Sequence, residues 1–455
     1  MKLKYTAGLL AIATCMGMAA QTPRNGYFSE NLPTRHDLNP AFAPDFDYVT
    51  IPVLGGISVG ANSNVGVGNF LFKKNGEVVT GLHSSVGNDE FLGKLKSKNY
   101  MEANVGVNIL SAGFKAWGGF NSIGISLKSN TSVSLPKSLF EFAKVGQVDG
   151  GATTYNIDGT RVRTAEYLEF ALGHSRDLNE KVRIGAKLKY LAGAAYADLT
   201  VDQLDVAMSA EQWSVREQGH AFYTKLLDVK YKANGEIDDI DKGDFGVAGN
   251  GLGVDLGVTY KPIKDLTLSA ALTDLGFISW KGEKASLNPD EFVYDGFHHL
   301  VAEKDENGDS QLKQEGDQLE EDAKKLVRFD TETSASSLQS LMTTLNLAAQ
   351  YNILNDKIGF GLLSATRFGG SKVWEEVMAS ANFRPASWFN ATVNFSASNL
   401  GSSFGALINF CPRGFNFFIG TDYIPTKYTS EGIPLSTAKF NFVLGMAITF
   451  NHHKK

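Results

Sequence analysis

Residues 440–450 read Phe-Asn-Phe-Val-Leu-Gly-Met-Ala-Ile-Thr-Phe, close to the end of the chain at Lys455. Successive side chains of a strand leave opposite faces, so Phe440, Phe442, Leu444, Met446, Ile448 and Phe450 share one side, against Asn441, Val443, Gly445, Ala447 and Thr449. One face is oily along its whole length; the other is small or polar. The same period recurs upstream. In 251–260, Leu252, Val254, Leu256, Val258 and Tyr260 oppose Gly251, Gly253, Asp255, Gly257 and Thr259. In 389–398, Phe389, Ala391, Val393, Phe395 and Ala397 oppose a row of Asn, Thr and Ser, and 265–274 alternates in the same way. In 182–190, Val182, Ile184, Ala186, Leu188 and Tyr190 stand against a face holding Arg183, Lys187 and Lys189, a face that alternation alone directs to water.

After residue 20 there is no run of about 18 apolar residues, so a membrane-spanning helix is excluded and any crossing uses strands. The alternating segments number about sixteen or about fourteen, depending on how 197–229 is divided, both even counts of the kind bacterial barrels use. Short connections at 177–181, 261–264, 352–356, 384–387 and 411–414 largely alternate with long ones near 130–164, 230–248, 278–340 and 424–438. An up-and-down barrel with tight turns at one end and loops at the other requires that asymmetry, and a sandwich does not. An oily strand with an aromatic near the C-terminus also resembles the assembly signal of outer-membrane proteins. The predicted fold is all-β: a transmembrane antiparallel up-and-down barrel occupying 57–450.

Composition agrees. The chain has 455 residues, 43% hydrophobic and 20% charged, with 47 Gly and 30 Phe, which suits short strands and glycine turns better than a helical bundle. A net charge of −6 offers no basic field, so no nucleic-acid partner is expected. Residues 1–20 read as a secretory signal: Lys2 and Lys4, the apolar stretch Leu9 to Ala13, then Gly17-Met18-Ala19-Ala20 before Gln21. Ile12-Ala13-Thr14-Cys15 forms only a loose lipidation motif, with Thr14 a poor residue before a modified cysteine. With Cys15 removed, Cys411 has no partner for an internal disulfide.

The start of the mature chain holds Arg24-Asn25-Gly26-Tyr27-Phe28, Thr34-Arg35-His36-Asp37-Leu38-Asn39-Pro40-Ala41-Phe42 and Tyr48-Val49-Thr50-Ile51-Pro52. This resembles a family of Bacteroidota outer-membrane proteins of unassigned function over 21–450. Asn39-Pro40-Ala41 is similar to the Asn-Pro-Ala element of the FadL-like long-chain fatty-acid transporter superfamily, although Phe42 and Ala43 stand where that pattern continues with Gly-Leu. The resemblance implies fourteen strands and an N-terminal plug inside the lumen, assigned to 21–56, with Asn39, Pro40, Ala41 and Phe42 as motif residues. Pro23, Pro33, Pro40 and Pro44 independently argue against a regular ladder strand across 21–47.

Nothing marks an enzyme: no Gly-x-Ser-x-Gly elbow, phosphate loop or His-Glu-x-x-His occurs. Asp305-Glu306-Asn307-Gly308-Asp309 begins like a calcium loop, but Ser310 and Gly316 break the pattern, and His298-His299 lacks further ligands. No metal or cofactor is expected. Acidic 314–325 reads as a short surface helix. Among luminal charges, a turn centred on Asn179 places Glu169 opposite Lys189, with Arg183 and Lys187 on the same face. The expected function is binding or passage of a small hydrophobic molecule across the outer membrane, with lipid around the wall. The alternative is a structural or assembly barrel holding a protein partner through its outer loops.

Overall fold

In the computed structural model, which describes residues 24–148, 151–243, 246–287, 291–295, 318–319, 328–370, 372–424 and 439–452, the alternating segments join into one closed antiparallel sheet. Its first half comprises β1 (Asp47–Thr50, resumed at Ile57–Ser63), β2 (Lys98–Ala116), β3 (Gly119–Pro136), β4 (Thr160–Asp177), β5 (Val182–Met208), β6 (Trp213–Tyr223, resumed at Gly249–Ile263) and β7 (Leu266–Leu287). The second comprises β8 (Phe329–Ser340, resumed at Thr344–Ile353), β9 (Ile358–Arg367), β10 (Trp374–Ala386), β11 (Phe389–Ser398), β12 (Gly401–Phe410), β13 (Asn416–Ile424) and β14 (Phe440–Phe450). Asp47 opposite Phe450 and Ile57 opposite Leu444 close the ring. The count is fourteen. The wall starts at Asp47, earlier than the 57 read from sequence, because β1 is interrupted by 51–56.

The oily face points outwards: Leu252, Leu256, Tyr260, Leu362, Val393 and Phe395 are all exposed on the outer surface. On β7 the exposed apolar run ends at Phe277, on β6 at Leu252 and on β8 at Leu338. From Leu266 to Phe277 is about the length that a tilted strand needs to cross a bilayer. The rim of short turns carries exposed Trp117 and Trp388, with Trp388 packed 5.3 Å from Phe410, as an aromatic girdle requires.

Wall height is uneven. β5 has 27 residues, whereas β9, β11 and β12 have 10 each, so β2 to β8 rise well past the lipid belt on one side. That explains why 197–229 was hard to divide: Ala197–Met208 and Trp213–Tyr223 pair with each other above the belt, where no lipid enforces alternation. The flanks of the expected long loop 278–340 pair in the wall as β7, to Leu287, and β8, from Phe329, and Glu291–Tyr294 pair with Trp213–Arg216 of β6. The stretch near 230–248 is a detour between the two halves of β6. Thr224 donates to the Tyr196 carbonyl at 2.9 Å and Ala248 to the Gly193 carbonyl at 2.7 Å, so the halves meet almost end to end.

A cap not foreseen from the sequence stands at the long-loop end beside β2 and β3. A hairpin (Leu71–Lys74 with Glu77–Thr80) and a short helix (Asn88–Leu92) pack against α1 (Lys137–Val145), where Phe140 meets Phe70 at 5.7 Å and Phe91 at 6.2 Å. Residues 1–20, read from the sequence as a secretory signal and containing Cys15, lie outside the described residues, as do His298-His299, 305–309, 425–438, and 314–325 apart from 318–319.

If the outward face meets lipid, Leu362→Arg near the middle of β9 should lower folding free energy by about 2–4 kcal/mol. Val78→Arg, on the exposed cap hairpin, should leave it unchanged. Urea titration of heat-modifiable gel migration reads the difference, and equal effects would reject a lipid-facing wall.

Candidate functional site

Residues 24–46 run inside the ring, and their composition shows how they stay there. Two 3-10 turns, Arg24–Phe28 and Pro33–Asp37, keep the segment compact where its prolines forbid a ladder. Tyr27 packs edge-on to Phe28 at 5.3 Å and to Phe42 at 5.0 Å, and this cluster buries Leu363 of β9 and Met378 of β10. The Arg35 guanidinium lies 3.8 Å above the Phe42 ring and donates to the Tyr27 carbonyl at 2.7 Å. Much of the polar inward face of the wall is covered by this segment.

Asn39, Pro40 and Ala41 form its elbow. The Asn39 side-chain oxygen accepts from the Ala41 N–H at 2.9 Å, and its amide donates to the Tyr27 hydroxyl at 3.2 Å and to the Ala270 carbonyl of β7 at 3.4 Å. The elbow sits in a notch of two wall glycines. A Cβ at Gly185 of β5 would come within 2.1 Å of the Pro40 carbonyl oxygen, and one at Gly257 of β6 within 2.1 Å of Asn39 Oδ1. Only glycine allows that approach.

Beside the notch lies a buried ion cluster. Lys189 Nζ is 2.6 Å from Asp274, 2.8 Å from Asp255 and 3.6 Å from Glu169. Lys187 pairs with Asp37, an ionic contact between wall and N-terminal segment. The sequence placed Glu169 directly across from Lys189; the observed partner of Lys189 is Ala171, and Glu169 faces Leu191. The turn is centred one residue later than assumed, so the pair forms diagonally. Arg183 lies apart from the cluster and pairs with Asp177 at 3.2 Å near the short-turn rim. Burying Lys189 is tolerable because three carboxylates surround it, so its charge stays compensated even if one of them is removed.

Asp37, Asp255 and Asp274 were not singled out from the sequence. Asp255 lay in plain view on the small-polar face of 251–260. Asp274 was hidden, because it occupies a bulge at φ 58°, which sets two successive residues, Thr273 and Asp274, toward the lumen and breaks the alternation. A second charged group closes the long-loop side: Arg24 lies 3.7 Å over Trp374 and 3.4 Å from Glu376, while Arg367 meets Glu102 at 2.9 Å.

Two spaces remain. A central chamber of about 150 Å³ is lined by Lys128, Glu169, Lys189 and Asp274 on one side and by Tyr167 and Leu341 on another. Tyr167 and Leu341 are the edge of an apolar luminal patch on β4 to β8 that includes Leu191, Tyr196, Ile278 and Trp280, with Tyr196 stacked on Trp280 at 5.1 Å. A second space of about 380 Å³ lies at the short-turn end beside Arg35, Asp45 and Arg183. Among the described residues no group of His, Cys, Asp and Glu could hold a metal ion.

Gly257→Val should push the Asn39-Pro40 elbow off the wall and raise single-channel conductance in planar bilayers. Gly124→Ala, with its nearest neighbour 3.9 Å away, should not. Matching conductance in both variants would mean that the notch does not hold the segment.

The chain belongs to a family described as "Family of unknown function (DUF5723)", whose profile matches residues 40–422. No curated protein matches it in sequence. Among solved structures it is similar to the toluene transporter TodX of P. putida (10% identity, TM-score 0.42, covering 97% of each chain). It is also similar to the toluene transporter TbuX of Ralstonia pickettii (8% identity, TM-score 0.39, covering 95% of this chain and 94% of that one). A FadL homologue of Pseudomonas aeruginosa shows 12% identity and a TM-score of 0.41, over 96% of this chain and 99% of that one.

Proposed function

Taking membership of that family as premise, we propose that this protein is an outer-membrane barrel that binds and passes a small, largely apolar molecule, with residues 24–46 closing the lumen. The apolar luminal patch of β4 to β8 carries the reading. Its residues are buried against one another across β4 to β8, away from the N-terminal segment, which packs on Leu363 and Met378, and Tyr167 and Leu341 carry this apolar face to the chamber. No residue of 24–46 belongs to the cluster of Tyr167, Leu191, Tyr196, Phe222, Ile278, Trp280 and Leu341.

The patch and the chamber it borders offer an apolar surface beside a polar one, which is how small-molecule sites are commonly built. Little apolar surface is open there, so cargo is held weakly, which suits a conduit, since cargo held tightly would not leave. The charged faces on either side, Lys189 with its carboxylates and Arg24 with Glu376, are a poor lining for a continuous apolar tunnel along the axis. Passage therefore calls for movement of 24–46 or of the cap. The long-loop end, with its cap, faces outwards in this reading and the short turns face the periplasm, as in outer-membrane barrels generally.

Two measurements test it. Recovery in the outer-membrane fraction with heat-modifiable migration is expected, and a protein found outside that fraction would refute the location. Tyr167→Ser with Leu341→Ser should weaken binding of a small neutral aromatic fluorophore to the purified barrel several-fold while leaving its migration unchanged. Undiminished binding would remove the patch from the function.

A further inference from the structure

The detour between the halves of β6 leaves a pocket on the outer surface of the wall. Its volume is about 540 Å³, and its lining includes Lys225, Val247, Lys281, Thr333, Ser334 and Ser336. Its height is informative. Leu252, Phe277 and Leu338 end the continuous exposed apolar runs of β6, β7 and β8 on this side, with Val247 and Trp213 exposed beyond Leu252, and Lys281 follows Phe277 by four residues, pairing in register with Ser336. The pocket thus begins where the lipid belt stops, at the depth of headgroups.

Its chemistry is divided in the same sense. Leu226, Val247 and Ala248 give it an apolar floor, and Val247 is 68% exposed although nothing in the wall requires it to be apolar. Above stand two ammonium groups and three hydroxyls. Among the described residues neither Lys225 nor Lys281 forms an ion pair, which leaves both ammonium groups open to an anion. The pocket is open beside Gly246, where a Cβ would meet nothing within 4 Å, and its back is the close approach of Gly282 to the Tyr223 carbonyl.

We propose that this seam pocket binds the phosphorylated headgroup of a membrane lipid, with Lys225 and Lys281 on the phosphate and the uppermost acyl carbons over Val247. Lysines at a membrane boundary extend their aliphatic stems along apolar surface and keep the ammonium at headgroup level, where anionic lipid attracts it. The pocket's continuity with the lipid belt selects a lipid over a protein, whose approach at that depth would require displacing lipid first. The inference rests on the barrel spanning a membrane, and is independent of the cargo.

The test uses the full-length protein in neutral detergent, analysed by native mass spectrometry with added lipid A bearing both phosphates. Wild type should retain the phosphorylated lipid at least tenfold better than the double variant Lys225→Glu, Lys281→Glu, with inorganic phosphate at the same concentration failing to displace it. Equal retention by the variant, equal retention of a dephosphorylated lipid A, or displacement by inorganic phosphate would each overturn the proposal. Heat-modifiable migration establishes that the variant is folded. Fluorophore binding at Tyr167 and Leu341 should stay unchanged in it, so that failure here and failure of the transport reading remain distinguishable.

Discussion

Backbone N–H and C=O groups in lipid have no water to bond, and every other feature of this protein follows from that constraint. A sheet satisfies it only by having no edge. Asp47 to Thr50 and Ile57 to Ala61 therefore meet β14 as well as β2, and the interrupted strands keep their ladders on both sides of each interruption. Side-chain choice comes second. Once the ring is closed, its outward positions must be apolar, and its inward positions are free to be small, polar or charged.

That freedom creates the next problem, a lumen wide enough to leak. The N-terminal segment answers it with chemistry unlike the wall's own: prolines and 3-10 turns in place of a ladder, and aromatics clustered around Tyr27. The wall is shaped to receive it. Gly185 and Gly257 stand where any larger residue would collide with the Asn39-Pro40 elbow, and Lys187 meets Asp37 beside them. Contact depends on shape at one place and on charge at the next, and each would be weaker alone.

The wall was legible in the sequence wherever lipid enforced a period of two, as in Phe440 to Phe450 and Gly251 to Tyr260. It became illegible above the belt, where Ala197 to Tyr223 form strands without that pressure, and at the cap, whose Phe70, Phe91 and Phe140 come together only in three dimensions. Lys187 and Lys189 could be read as luminal from alternation, but their true partners could not. Asp37 arrives from the N-terminal segment, Asp255 from a neighbouring strand and Asp274 from a bulge, and the register with Glu169 turned on where a five-residue turn was centred. Asn39 was noticed through a resemblance; its role against two glycines follows from packing.

The divided β6 has one more consequence. Its halves hold their places through pairing with β5 and β7, and the peptide between Thr224 and Ala248 contributes little to that pairing. Covalent connectivity and structural continuity are thus separable at this point of the barrel. A chain cut within the detour would yield two fragments, each carrying half of one wall position, whose reunion depends on sheet complementarity alone.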